Sequence, residues 1–259
     1  MRLFSRLLTS GLPLLVALAL LSAGCGDDET AIHGPTGESD ADTDAETDAI
    51  LPVRCEAPPG LGSPQTIAEA LELMNALPAP VTVPCFVQSL DRPLALTATT
   101  STVSAQPAGS ANNPRIFIFS GPLVLSIVPG GIGRDVLEFG EPRGDFESLK
   151  GELIMPVDQP IPAGKPFEHL RFSSQTTICG FCHRDEHLAV DQDHPNAFIS
   201  RVLRPVDELL VGVDDLRAKH VECDAEFDPM RCEILSAVFD HGPVIEQSFP
   251  EELKTIFDP

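Results

Sequence analysis

Cys179-Gly180-Phe181-Cys182-His183 holds more chemistry in fewer residues than any other stretch of this sequence. Two thiols lie three positions apart, and an imidazole follows the second. The sulfurs can close a disulfide or act as a thiol redox pair, with His183 incidental. The run Cys-x2-Cys-His-x3-His-x6-His also offers enough donors for Zn²⁺, bound by Cys179 and Cys182 with two of His183, His187 and His194. The other cysteines narrow the choice. Of seven in all, Cys55 and Cys85 bracket a first predicted helix, while Cys223 and Cys232 bracket a short loop that runs into another. Each couple reads as a disulfide closing a local loop. With Cys25 set aside for a separate role, Cys179 and Cys182 remain, although the count alone also permits a third disulfide.

The pentapeptide resembles the attachment signature of c-type cytochromes. That resemblance implies haem c, with Cys179 and Cys182 bound to the porphyrin through thioethers and His183 as the proximal iron ligand. It covers these five residues only. The rest of the chain does not resemble the small all-helical cytochrome c domain, because strands precede the motif. A sixth ligand would come from His187, His194, His220, Met230 or His241. Met230, 47 residues after His183, matches the order of many single-haem cytochromes, in which a later methionine completes the iron. His187 is too close in sequence to reach the opposite haem face, and apolar packing is an equal claim on Met230.

Covalent haem attachment takes place outside the cytoplasm, and the N-terminus carries an export signal. Arg2 and Arg6 are followed by Gly11 to Leu21, an almost wholly apolar run of about 11 residues, short of the roughly 20 that a spanning helix needs. Leu21-Ser22-Ala23-Gly24-Cys25 resembles the lipobox of bacterial lipoproteins, which implies cleavage before Cys25 and a lipid anchor on its sulfur. The leucine stands four residues before the cysteine, where the commonest pattern has it three before. Residues 1–24 thus read as a signal peptide and 25–50 as a lipidated acidic linker. That linker holds nine acidic residues and no Lys or Arg, so it repels itself and stays extended. The expected location is the cell envelope, facing the periplasm or the outer surface. Gly26 after the anchor leans toward the outer membrane.

Charge excludes some partners. The formal net charge is −22, of which the first fifty residues carry −7 (two Arg against nine acids), leaving −15 for residues 51–259. So acidic a domain does not suit nucleic acid or anionic lipid headgroups.

The elements that must position the motif are read from apolar spacing. Ser63-Pro64 reads as the start of an amphipathic helix through Ile67, Ala70, Leu71, Met74 and Leu77. Short apolar runs then predict strands at 81–90, 94–100, 115–119, 123–128, 136–139, 153–157 and 167–172. Gly121-Pro122 lies at hairpin distance between two of them. His169 falls within the last and reads as a sheet histidine. Helices are expected at 214–221, at 228–239 behind Asp228-Pro229, and briefly from Pro250. The fold class is mainly β with a helical C-terminal part: an antiparallel sandwich or open barrel over 51–172, then the CxxCH loop and short helices over 173–259.

Catalytic signatures are absent. There is no Gly-x-Ser-x-Gly and no His-Glu-x-x-His, and Gly130 to Gly133 lacks the Lys-Ser or Lys-Thr of a phosphate loop. Arg184, Asp185 and Glu186 read as solvated loop charges. With neither Trp nor Tyr, the chain offers no such radical relay, while fourteen Phe suffice for a core and for contacts with a porphyrin face. The expectation is a membrane-anchored, one-haem electron carrier with an unidentified redox partner. The alternative is a non-enzymatic envelope lipoprotein, a binding or structural module whose Cys-His cluster holds zinc or a disulfide.

Overall fold

Alternation of apolar and polar residues, broken by tight turns, organises the structure around one sheet. A computed structural model describes residues 55–173 and 175–258, all within one unit spanning 51–259. The proposed signal peptide, the lipobox at Cys25 and the acidic linker lie outside the described residues. Strands β1 (Leu94–Thr99), β2 (Arg115–Ser120), β3 (Leu123–Ile127), β4 (Val136–Pro142) and β5 (Glu147–Ile154) form an antiparallel meander. The β2–β3 hairpin turns on Gly121-Pro122, where Gly121 has φ +57°, the positive value that a mirror-image hairpin turn needs at its first position.

The chain beyond residue 172 adds to both edges of this sheet. β7 (Phe198–Arg201) pairs with β5, and β6 (His187–Leu188) lies outside β7. At the other edge β1 is shared. β8 (Leu210–Val211) runs antiparallel to one half of it, and β9 (Val244–Glu246) parallel to the other. Among the described residues the fold is thus a nine-stranded, mainly antiparallel sheet, and its mainly β class with helices at the C-terminal end is what the spacing predicts.

The two faces of the meander differ in chemistry. Leu96, Ile116, Ile118, Leu125, Leu137, Leu149 and Leu153 are fully buried in the main core with α1 (Ile67–Ala76) and α2 (Val83–Ser89). At Gly151 a side chain would meet Ile67 Cδ1 at 3.4 Å and Pro166 Cβ at 3.1 Å, so the glycine lets α1 approach the sheet. Glu141 shares this inner face. Buried, it accepts the N–H of Ile67 at 2.8 Å at the start of α1 and pairs with Arg143 at 2.8 Å. A carboxylate there is favoured by the helix dipole. The opposite face carries Arg115, Phe117, Phe119, Ser126, Glu138, Ser148, Lys150 and Glu152, in register across β2 to β5.

Several boundaries differ from those the sequence predicts. α1 begins at Ile67 because Thr66 is its cap, accepting from Glu69 N at 3.1 Å, while Ser63 Oγ donates to Asp91 at 2.6 Å instead. The apolar run 81–90 contains helix α2 rather than a strand. Thr82 caps it, Pro84 occupies its first turn, and its apolar residues are buried all round, which erases the periodicity that would reveal a helix. Residues 167–172 form no strand: a 3₁₀ turn at Lys165–Phe167 runs into an irregular stretch, and Phe167 and Leu170, three apart, are buried while His169 is exposed. β5 starts at Glu147, six residues earlier than the apolar run 153–157 suggests, and Val157 forms only an isolated bridge to Val81. Pro250 starts no helix, because the backbone there pairs outward, Arg204 N donating to Lys254 O at 2.9 Å.

α3 (Val213–Val221) and α4 (Pro229–Phe239) stand where expected, and Asp228 caps α4 by accepting from Arg231 N at 3.3 Å. No helix among the described residues is long and apolar enough to cross a membrane.

Candidate functional site

The CxxCH segment is a 3₁₀ turn, Cys179–Phe181, closed by Cys182 N donating to Cys179 O at 3.1 Å and His183 N to the same carbonyl at 2.8 Å. Its entry is held by Thr177, whose Oγ1 accepts the N–H of Cys179 at 3.2 Å. Glu186 anchors Thr177 in turn, accepting its N–H at 2.7 Å and its hydroxyl through a second, short bond. Gly180 allows this, since a Cβ there would meet Glu186 Oε2 at 2.6 Å. Asp185, at φ +58°, pairs with Arg201. The acidic residues after the motif are therefore structural ties rather than free loop charges, a role invisible in sequence because each partner lies on a different segment.

His183 is half-buried, and its Nδ1 lies 2.6 Å from the carbonyl oxygen of Arg201 on β7. A carbonyl can only accept, so Nδ1 carries the hydrogen and Nε2 presents its lone pair. Burial, reinforced by the positive charges of Lys150 and Arg115 and only partly offset by the Arg201 carbonyl, pushes the imidazole pKa down to about 3. The ring is neutral throughout the physiological range. A hydrogen bond from Nδ1–H to a backbone carbonyl is the kind that orients a histidine whose Nε2 binds metal.

Cys179, Cys182 and His183 all line one cavity of about 440 Å³. Its floor is the polar face of β2 to β5. Its other walls include the CxxCH turn, Val202 to Val206, and the segment from Gln247 to Ile256. Phe249 meets Phe117 and Phe119 edge-on at 5.2 and 5.0 Å. Leu170, Ile178, Leu253 and Ile256 add apolar surface.

The floor charges form a network. Arg115 pairs with Glu138 and donates from Nε to Ser126 Oγ at 2.6 Å, and Ser126 donates to Gln106 Oε1 at 2.7 Å. Glu152 stands directly opposite Glu138 across the β4–β5 ladder. Burial and that neighbouring carboxylate raise its pKa to about 7. Lys150 donates to Ser148 Oγ at 2.6 Å, and burial lowers its pKa to about 8 against the opposing pull of Cys179 and Glu138. Burial and Glu138 push the Cys179 thiol up to about 12, over the weaker effect of Lys150. Cys179 is thus held as a thiol, unlike the low-pKa thiolate that drives a redox pair.

Among the described residues the cysteines are bonded as Cys55–Cys85 and Cys223–Cys232, and Cys179 and Cys182 are free. The ligands proposed downstream of His183 do not converge on it. Met230 is 40 % exposed at the first turn of α4 and does not line the cavity. His187 is exposed on β6, its Nδ1 3.0 Å from Asp185 O. His194 packs against Phe167 at 5.6 Å, and His220 pairs with Asp240 at 2.8 Å. His241 lines a smaller cleft beside the Cys55–Cys85 disulfide. Among the described residues, no three His, Cys, Asp or Glu side chains gather where they could hold a metal ion, so the expected zinc set is not assembled.

The donor chemistry fits a covalently attached haem. Two free thiols and a neutral imidazole with its Nε2 lone pair available border the same cavity, whose apolar walls and volume suit a cofactor site. Sequence reasoning missed the floor residues Arg115, Glu138, Lys150 and Glu152 and the wall residue Phe249. A signal was present, since Arg115-x-Phe117-x-Phe119 and Ser148-x-Lys150-x-Glu152 repeat at period two. Comparison with family models, with curated proteins and with solved structures finds no match.

Proposed function

We propose that this chain is a cytochrome-like lipoprotein of the cell envelope, anchored through Cys25, which carries one haem c on Cys179, Cys182 and His183 and transfers single electrons. One observation carries the reading: both free thiols and the neutral imidazole of His183, its Nδ1 tied to Arg201 O, border one cavity. The haem would supply an iron that cycles by one electron. The chain's own residues do the rest. Cys179 and Cys182 hold the porphyrin edge, and the Arg201 carbonyl orients His183. Phe117, Phe119 and Phe249 exclude water from the ring, and Glu152 offers a carboxyl that can hold a proton near neutral pH.

The test is expression of the full chain, with its export signal, alongside a c-haem maturation system. A Soret band and a haem stain that survives denaturation are expected, and their absence removes the reading. Cys179→Ser should lose the attachment through that sulfur, and a Cys179→Ser/Cys182→Ser variant all covalent haem. Cys25→Ser should abolish incorporation of labelled fatty acid and release the protein from the membrane fraction.

A further inference from the structure

We propose that Lys150 is the second axial ligand of the iron, an inference that rests on the haem reading above. His183 borders the cavity, as does Lys150 on β5. Among the described residues no methionine and no second histidine lines this space, so the side chains first expected to complete the iron cannot do so from where they stand. Of the cavity's other side-chain nitrogens, Arg115 and Arg204 are permanently charged guanidiniums engaged with Glu138 and Asp207, and Gln247 offers only an amide, which leaves the lysine amine.

The setting of Lys150 suits this role. Across the β4–β5 ladder it faces Gly140, which has no side chain, and the nearest atoms to a Cβ there are 3.8 Å away. Its Nζ makes one hydrogen bond, to the Ser148 hydroxyl at 2.6 Å, and no ion pair among the described residues. A lysine committed to structure would be matched by a contacting carboxylate. Ligation forms one Fe–N bond and releases the ammonium proton. That proton passes to bulk water.

The experiment uses the full haem-loaded chain and compares the wild type with Lys150→Ala and Lys150→Arg. The arginine keeps charge and bulk but cannot ligate. The expected wild type is low-spin in the ferric state, with a near-infrared charge-transfer band at shorter wavelength than His–Met ligation gives, and it binds carbon monoxide poorly when reduced. Both variants should lose that band, turn high-spin and bind carbon monoxide at least tenfold faster, with covalent haem stain and circular dichroism unchanged. A high-spin wild type, or variants that keep its low-spin spectrum, would overturn the assignment while leaving haem attachment intact. A wild type without covalent haem would sink both readings. If Lys150→Ala does not fold, Lys150→Arg decides alone.

Discussion

His183 Nδ1 donates to the main-chain carbonyl of Arg201 at 2.6 Å, which joins the CxxCH turn to strand β7. The position of that carbonyl is set by the pairing of Arg201 with Glu147 on β5. A strand, rather than a helix, therefore aims the imidazole.

The side chain of Arg201 should matter far less than its carbonyl. Its pair with Asp185 is largely exposed on both sides, and such pairs contribute about 0–1 kcal/mol. Arg201→Ala is expected to change the urea midpoint only slightly and to leave the Soret maximum of the haem form in place. A large spectral shift would show that the side chain, not the main chain, orients His183.

Arg115 and Glu138 are only 15 % and 20 % exposed, so removing one charge strands the other. Arg115→Met should cost about 3 kcal/mol, and Arg115→Met/Glu138→Gln distinctly less, since the double change leaves no unpaired charge. Denaturant unfolding of both variants measures the difference. Equal losses would mean that the Ser126 and Gln106 hydrogen bonds, rather than the ion pair, stabilise this face.

Glu152 imposes a pH dependence of defined sign. Its pKa is raised from the ordinary 4.5 to about 7, so below 4.5 the carboxyl is protonated in both folded and unfolded chains and has no effect. Between 4.5 and 7 the folded protein retains a proton that the unfolded chain has released. Stability contributed by this group is therefore lost as pH rises through that window. After allowance for solvent screening of a half-buried group, the change is roughly 1–2 kcal/mol. Glu152→Gln should flatten the profile, as read from urea midpoints between pH 4.5 and 8, and an unchanged slope would exclude Glu152 as its source.

The two disulfides should differ in worth. Cys55–Cys85 spans 30 residues and Cys223–Cys232 only 9, and the entropy removed from the unfolded chain grows with loop length. Replacing the first pair by Ala is expected to cost about 3 kcal/mol and the second about 2 kcal/mol, in thermal melts of otherwise intact protein. A reversed order would point to local packing in place of loop closure.

What could be read from the sequence depended on the range of the signal. Turns and caps are local, so Gly121-Pro122 and Asp228-Pro229 mark their elements correctly, and the cysteine couples lie close enough in sequence to be paired on sight. α2 was hidden because a helix buried on all sides carries no amphipathic period. Lys150 and Glu152 were missed because β5 begins at Glu147, where alternating charge resembles a solvated surface until the cavity walls are in place. Met230 has a suitable sequence distance from His183, yet α4 is held against α2 and α3 instead.

The wall formed by residues 247–256 also sets an order of events. A chain emerges N-terminus first, so the residues of the meander, the CxxCH turn and β7 come before Phe249 and Leu253. Until then Phe117 and Phe119 lack their aromatic partner, and Arg204 N has no Lys254 carbonyl to bond. Before residues 247–256 are added, the cavity that both thiols line lacks that wall. On the proposed haem reading, a bulky planar group would be laid in during that interval, with the closing segment added afterwards as the last course of the wall.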